Sequence, residues 1–190
     1  MNTCFNCSPR TQTLIGLGLM AFMAATRFHH FGDTLHLPDA SWAIFFAAGF
    51  YLSPVWLLAL MTEAFAIDYA SIGMLGTSAF CVTPAYVALI PAYAALWFGG
   101  RWTARKAEAD LHGLAKFAGT ALASTAAAFV ISNGAFYWFG SRVAETSLAQ
   151  FVQTFVDYAP SFFGSTLMYL AVAVVAHVFV AQRQNIAIRA

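Results

Sequence analysis

Cys81 carries the most distinctive chemistry in this sequence. It lies in the run Phe80-Cys81-Val82-Thr83-Pro84, directly before a proline that favours the first turn of a helix. The dipole at a helix N-terminus stabilises a thiolate, which is the form of cysteine that binds soft metal ions. A cysteine also serves as a small buried hydrophobe in membrane helices. On its own, the position therefore allows either a metal ligand or a packing residue.

Asp68 and Tyr86 are expected close to the same level of the molecule as Cys81. Asp68 ends the apolar segment before the Cys81 loop, and Tyr86 follows Cys81 by five residues. An acid at a membrane boundary needs a partner, a ligand or water, and a tyrosine there is also typical of the aromatic belt. Together the three residues place a thiol, a carboxyl group and a phenol in one region, which predicts a ligand site.

Other reactive side chains occur in less specific patterns. Glu63 lies within an apolar segment, where a carboxyl group indicates either a function or a structural partner such as Lys116. His177, in the last apolar segment, is expected to be a hydrogen-bonded core histidine. Cys4 and Cys7 form Cys-x-x-Cys without the second pair that a structural zinc site needs, so they indicate only a weak redox or metal option.

The segment between the first two apolar stretches is rich in potential metal ligands. These are His29, His30, Asp33, His36 and Asp39. Two adjacent histidines suit no common chelate on one face of an element, because metal ligands must converge on one point. The sequence therefore favours a polar loop or a mobile gate here over a metal site.

The elements that carry these residues are predicted to lie in a membrane. The chain has 190 residues, of which 61% are hydrophobic and 9% charged, and its mean hydropathy is +0.69. Soluble domains average about 45–50% apolar and about 25% charged residues. The net charge of +1 gives no electrostatic footprint for a nucleic acid. The length fits one integral membrane domain, residues 1–190, of all-α class.

The apolar segments predict five or six transmembrane helices after a tail at residues 1–13. They lie near residues 14–28, 41–52, 54–68, 84–99, 111–139 and 161–181. The second and third could instead be one kinked span, because Pro54 is tolerated inside a membrane helix. The basic residues fall seven against two in either topology, so the positive-inside rule does not choose. In both topologies the loops 69–83 and 140–157 are outside.

Two further features bear on partners. No nucleotide-binding motif such as GxxxxGK[ST] and no internal repeat is visible, so a transporter of this size would take its energy from a partner. Ala21 and Ala25 lie four residues apart, forming a small-xxx-small face suited to close helix contact. Gly119, Ala123 and Ala127 repeat the pattern, and packing within the chain explains either one.

Taken together, these features resemble a family of vitamin transporters. A short multi-span chain without an ATPase, the Ala21 and Ala25 face in its first span and an outer loop ending in Cys81 are similar to the S-components of the energy-coupling factor (ECF) transporters. The chain looks most like the BtuM-type, cobalamin-specific members, over its whole length and span order. The resemblance favours the S-component fold with six transmembrane helices in the inner (plasma) membrane. It also implies that both termini are cytoplasmic.

The resemblance implies a division of labour between this chain and its partners. An S-component captures its vitamin at the outer face and associates with a membrane coupling protein and two cytoplasmic ATPases. Ala21 and Ala25 would form the docking face for the coupling protein. Cys81 would coordinate the cobalt of cobalamin, the transported ligand, and Asp68 and Tyr86 would be grouped around it.

The chemistry of cobalamin fits a cysteine ligand. The corrin leaves two axial positions on cobalt, and a thiol must lose its proton to bind there. Asp68 or Tyr86 could accept or relay that proton. Strong donation by the thiolate would weaken the opposite axial bond, which predicts release of an upper-face cyanide. Tyr69 and Phe80, from the same loop as Cys81, are expected against the apolar surface of the corrin.

Two alternatives stay open. The first is an S-component for another vitamin, in which Cys81 loses its role. The second is a rhomboid-like intramembrane serine protease, because residues 76–79 (Gly-Thr-Ser-Ala) and His177 partly match the Gly-x-Ser-Gly turn and last-span histidine of that family. Ala79 in place of the second glycine argues against the protease.

Overall fold

Helices make up nearly all of the part of the chain that is described. The structure is a computed structural model that describes residues 8–30, 37–76, 79, 82–106, 110–140 and 146–189. Its helices are α1 (Pro9–His30), α2 (Ser41–Tyr51), α3 (Val55–Leu75), α4 (Leu89–Lys106), α5 (Leu111–Phe139) and α6 (Leu148–Arg189), and a 3₁₀ turn at Pro84–Ala88 leads into α4. The all-α class expected from the composition is confirmed.

Three of these helices are long and apolar enough to cross a membrane. The segments are Val55–Met74 in α3, Leu111–Phe139 in α5 and Leu148–Gln182 in α6. A helix of about 20 residues covers the hydrocarbon core of about 30 Å. Val172 and Val175 of α6 are exposed on the bundle surface, which suits contact with lipid better than contact with water. A membrane location is therefore compatible with the fold.

The chain breaks between α2 and α3 at Ser53 and Pro54. Leu52 adopts an extended conformation (φ −113°, ψ 160°), and α3 begins with hydrogen bonds from Trp56 N to Ser53 O (3.0 Å) and from Leu57 N to Pro54 O (3.1 Å). A proline disfavours helical conformation in the residue before it, which ends α2 at this point. The segment is thus two helices rather than one kinked helix. With 11 residues, α2 alone is about 16 Å long and shorter than a full membrane crossing.

Contacts between helix ends show that α1 and α2 are antiparallel. Gln12 Oε1 accepts a hydrogen bond from Ser53 N (3.2 Å) near one end of the bundle, and Thr26 Oγ1 accepts one from Ala40 N (3.3 Å) near the other. We call the second of these the Arg27 end, because Arg27 follows Thr26. The first is the Tyr51 end, where α2 finishes.

Contacts at the two ends of the bundle also show that α1 and α3 are parallel. The ring of Trp56, at the start of α3, lies against Gly16 of α1, and Asp68, further along α3, is bonded to Arg27 of α1. The direction of the chain therefore reverses at Pro54, and the residues that follow α3 return at the Arg27 end.

Backbone contact between α2 and α4 holds the centre of the bundle together. A Cβ added at Gly49 would lie 2.1 Å from the carbonyl oxygen of Trp97, and one at Gly100 would lie 1.9 Å from that of Phe46. Only glycine allows this approach, as in the small-residue interfaces of membrane helices. All residues of α2 from Ser41 to Phe50 are buried as a result.

Four helices extend past the limits expected from hydropathy. α1 begins at Pro9, inside the expected tail 1–13, and α4 follows a 3₁₀ turn and runs to Lys106 instead of ending near residue 99. α3 continues beyond Asp68 to Leu75 and ends at Gly76, which has the left-handed φ of 67° that glycine adopts without strain. Asp68 therefore lies inside the helix, about two turns before its end. α6 begins at Leu148 and contains Pro160, whereas the apolar span was expected to start near residue 161.

Candidate functional site

A bidentate ion pair between Arg27 and Asp68 lies at the centre of the Arg27 end. Arg27 Nε donates to Asp68 Oδ1 at 2.7 Å, and Nη2 donates to Oδ2 at 2.5 Å. Both residues are 6% exposed. Two parallel N–H···O bonds fix the plane of the carboxylate as well as its position. The pair therefore connects α1 rigidly to α3.

The remaining nitrogen of Arg27 bonds to groups from the start of α2 and from α4. Nη1 donates to Ser41 Oγ and to Tyr93 OH, both at 3.0 Å, and to Asp39 Oδ2 at 3.3 Å. Asp39 also accepts from the backbone and side chain of Ser41, at 2.9 and 2.6 Å. Tyr93 is buried and stacks on Phe45 with ring centroids 4.1 Å apart.

Tyr86 adds a further element to this cluster. Its hydroxyl donates a hydrogen bond to Asp68 Oδ2, which also accepts from Arg27. Its ring lies 5.5 Å from the ring of Phe65, and its backbone nitrogen donates to Thr83 O at 2.9 Å. We refer to Arg27, Asp39, Ser41, Asp68, Tyr86 and Tyr93 as the Arg27 cluster. It contains two carboxylates for one guanidinium.

The structure brings together two of the residues expected at the ligand site. Asp68 and Tyr86, expected at the same level of the molecule, are in direct contact. Tyr69 follows Asp68 in the chain but is 83% exposed, because consecutive residues of a helix point about 100° apart. Phe80 and Cys81 lie outside the described residues, between Ala79 and Val82.

Arg27, Ser41 and Tyr93 are the members of the cluster that sequence reasoning missed, and Arg27 is central among them. It was counted only as a charge at the end of the first apolar stretch. The signal was available, since an acid placed in an apolar segment needs a partner and Arg27 is the basic residue that ends a neighbouring apolar segment. Asp39, assigned to a polar loop, is likewise bonded to this arginine.

Two buried hydroxyl groups at the same end lack a hydrogen-bond partner within the described part of the chain. They belong to Ser71, which is fully buried one turn past Asp68, and to Thr83, which precedes Pro84. Buried polar groups are nearly always bonded to protein, water or ligand. Both oxygens are inaccessible from the surface, so in this structure they face the interior of the bundle rather than a ligand.

The Tyr51 end contains a cavity instead of an ion cluster. It has a volume of about 530 Å³ and is bordered by α2, α4, α5 and α6, with Phe50, Phe117 and Leu170 among its mostly apolar lining. Tyr51 OH and His177 Nδ1 lie 2.9 Å apart at its wall. The expectation that His177 is a hydrogen-bonded histidine is confirmed.

The position of His177 also bears on the protease alternative. His177 is bonded to Tyr51 at the Tyr51 end of the bundle. In the chain, Ser78 lies between Gly76, at the end of α3, and Val82, shortly before the 3₁₀ turn that leads into α4, and both of these residues are at the Arg27 end. Ser78 itself is outside the described residues. A serine–histidine pair needs hydrogen-bond contact, so this geometry is unfavourable for one.

Small residues on α1 face away from the bundle. Ala21 and Ala25 are exposed, together with Leu14, Leu17 and Gly18 on the same helix. Packing within the chain therefore does not account for this face. Gly119, Ala123 and Ala127 of α5 are exposed as well.

Glu63 is partly buried, and one of its oxygens, Oε2, is a buried atom without a hydrogen-bond partner among the described residues.

No group of three or more His, Cys, Asp or Glu side chains that could hold a metal ion occurs within the ranges that the structure describes. Of the potential ligands in the segment His29 to His36, His29 and His30 lie in α1 without described side chains. Asp33 and His36 lie outside the described residues.

The chain matches no protein-family model, and no curated protein matches its sequence. Its function is therefore argued from the chemistry of the Arg27 end and of the loop that begins and ends there.

Proposed function

We propose that this chain is the substrate-binding S-component of an ECF cobalamin transporter. It captures cobalamin at the outer face of the inner (plasma) membrane, and the Cys81 thiolate occupies an axial position on the cobalt. The observation that supports this most is the contact between Asp68 and Tyr86. It lies at the end of the bundle where residues 82–86 emerge from the Cys81 loop.

The polar groups at this end suit a ligand with hydrogen-bonding substituents. Cobalamin carries amide side chains around an apolar ring system, and the partly exposed Tyr86, bonded to Asp68, lies beside the loop where such amides would be bound. Tyr69 is exposed at the same end, where Phe80 would join it against the corrin surface. The cavity at the Tyr51 end has a volume of about 530 Å³. Pockets of about 300–1,000 Å³ hold drug-sized molecules, so this cavity suits a ligand smaller than cobalamin.

The proposal includes six membrane crossings with both termini in the cytoplasm. The reversal of the chain at Pro54 supports an even number of traverses, and the Tyr51 end would then be cytoplasmic. That end carries Arg10, Arg105 and Lys106, which agrees with the positive-inside rule. The Arg27 end, with Asp68 and Tyr86, would face outward.

Energy for uptake would come from a membrane coupling protein with two cytoplasmic ATPases. The exposed face of Ala21 and Ala25 is the docking surface that we propose for the coupling protein. Small side chains let another helix approach closely in a membrane, which supports this assignment.

Binding would also favour loss of cyanide from cyanocobalamin. The Cys81 thiol loses its proton and its sulfur donates an electron pair to cobalt. Cyanide leaves the opposite axial face with its bonding pair, so the oxidation state of the cobalt does not change. The lone pairs of Asp68 already accept hydrogen bonds from Arg27 and Tyr86, so the proposal assigns the thiol proton to water.

The corrin absorption spectrum tests this proposal. Cobalamin is added to purified wild type and to Cys81→Ala, with Cys4→Ser/Cys7→Ser as the thiol control. We expect a shifted corrin band in wild type and in the control, and none in Cys81→Ala. Identical spectra in all three would contradict a thiolate ligand, and absence of cobalamin binding to wild type would contradict the transport role. Binding of another vitamin would then favour an S-component of different specificity.

A further inference from the structure

We propose that Arg27 is the positioning residue of the substrate site. It holds Asp68 and Tyr86, and through them residues 82–86, in the arrangement that accepts the ligand. This inference rests on the proposed function for the identity of the ligand, but the role of Arg27 in ordering the segment is independent of it.

The guanidinium group is itself held in one orientation. Its Nη1 donates to Ser41, Tyr93 and Asp39, which belong to the start of α2, to α4 and to the segment before α2. Tyr93 is buried and stacked on Phe45, so it has little freedom to move. Arg27 is therefore preorganised before any ligand arrives.

The carboxylate of Asp68 takes its orientation from Arg27. Because the bond is bidentate, both the position and the plane of the carboxylate are set. Oδ2 then accepts from the hydroxyl of Tyr86 along a fixed direction. A lysine in place of Arg27 would supply the charge but not the second, parallel hydrogen bond.

Tyr86 transmits this order to the chain beside the proposed ligand. The ring is fixed at one edge by Asp68 and on its side by Phe65, and its backbone N–H is bonded to Thr83 O. Thr83 is two residues from Cys81. A continuous path of contacts thus joins Arg27 on α1 to the segment that carries the proposed cobalt ligand.

A positioning role differs from a purely structural one in what its loss changes. Removal of one partner leaves an uncompensated buried charge wherever the pair lies, so the melting temperature falls in either case. Only a positioning residue changes the local order of residues 82–88 and the affinity for the ligand while the remaining helices stay protected. The readouts below separate these two cases.

The experiment compares Arg27→Gln and Arg27→Lys with Tyr51→Phe, which removes a hydrogen bond at the opposite end of the bundle. The first readout is amide hydrogen exchange of the protein without cobalamin. We expect exchange of residues 82–88 to accelerate about 10-fold or more in Arg27→Gln, with α5 unchanged. Tyr51→Phe should leave residues 82–88 within about 2-fold of wild type.

The second readout is cobalamin affinity and the corrin spectrum. Arg27→Gln should weaken binding about 10-fold or more, and Arg27→Lys should recover only part of that loss because it restores charge without the second bond. If Arg27→Gln does not fold, the double variant Arg27→Gln/Asp68→Asn removes the unpaired carboxylate. It should fold and still show fast exchange at residues 82–88.

Unchanged exchange at residues 82–88 in Arg27→Gln would overturn the positioning role, whether or not the protein binds cobalamin. The positioning role would also be overturned if Arg27→Gln folds with a lowered melting temperature but binds cobalamin with wild-type affinity. Failure of wild type to bind cobalamin would instead contradict the proposed function, and the exchange result would still decide the role of Arg27.

Discussion

At the Arg27 end, a buried guanidinium binds two carboxylates, one phenol and a hydroxyl, and a second phenol donates to one of these carboxylates. At the Tyr51 end, a tyrosine–histidine bond borders an apolar cavity of about 530 Å³. The two sites share α2 and α4, whereas α1 and α3 contribute to the ion cluster and α5 and α6 to the cavity. The first end fixes its polar side chains in one arrangement, and the second leaves open space between α2, α5 and α6.

This difference indicates where the molecule needs a defined geometry. A buried ion pair is weak evidence for stability, because apolar residues of similar volume often stabilise a fold as well or better. Arg27 and Asp68 therefore make most sense as residues that set orientation. At the Tyr51 end, the hydrogen bonds of Tyr51 with His177 and of Ser53 N with Gln12 are single contacts, and neither is bidentate.

The largest effect that tests this comparison is the loss of the arginine. Arg27→Met leaves Asp68 buried without its ionic partner, so we expect the free energy of unfolding to fall by about 3–5 kcal/mol. Chemical or thermal unfolding in detergent measures it. The double variant Arg27→Met/Asp68→Asn should recover most of the loss, because the buried Asp68 charge is removed and only the partly exposed Asp39 is left without its cation. A single variant as stable as wild type would show that the ion pair contributes nothing.

A smaller effect is expected at the phenol that bonds to the same carboxylate. Tyr86→Phe removes a hydrogen bond to a charged acceptor, which is worth about 1.5–3 kcal/mol in the free energy of unfolding. Tyr169→Phe is the matched control, because Tyr169 OH donates to the neutral carbonyl of Pro38 at 2.8 Å on the surface. Equal losses in the two variants would mean that the contact with Asp68 has no special strength.

The smallest effect is expected at the Tyr51 end. Tyr51→Phe breaks the bond to His177 and leaves the imidazole beside a cavity, so the expected loss is about 0.5–1.5 kcal/mol. The same unfolding assay measures it. A loss larger than that of Tyr86→Phe would reverse the comparison and point to the Tyr51 end as the more ordered region.

The sequence predicted that Asp68 and Tyr86 lie at the same level of the molecule, but it predicted neither their hydrogen bond nor the link to Arg27. The shared level followed from chain order, because a loop that leaves α3 and returns into α4 keeps its two ends near each other. The link to Arg27 needs α1 and α3 to lie side by side and parallel, which is set by packing such as that of Gly16 against Trp56. Hydropathy along the chain does not contain that information.

Helix limits show a second difference between pattern and structure. Residues 140–157 were predicted to form a loop, yet α6 already begins at Leu148. Ser147 Oγ accepts from Gln150 N at 3.2 Å at the helix start, and Gln153 bonds to Asp157 one turn later at 2.8 Å. Hydropathy marks the part of a helix that suits lipid, whereas these local hydrogen bonds decide where the helix begins.

The most direct test of the central claim is the absorption spectrum of cobalamin bound to this protein. Wild type is predicted to shift the corrin bands as a thiolate replaces the axial ligand, and Cys81→Ala is predicted to give the bands of cobalamin without a sulfur ligand. The same spectrum for both proteins would contradict the account.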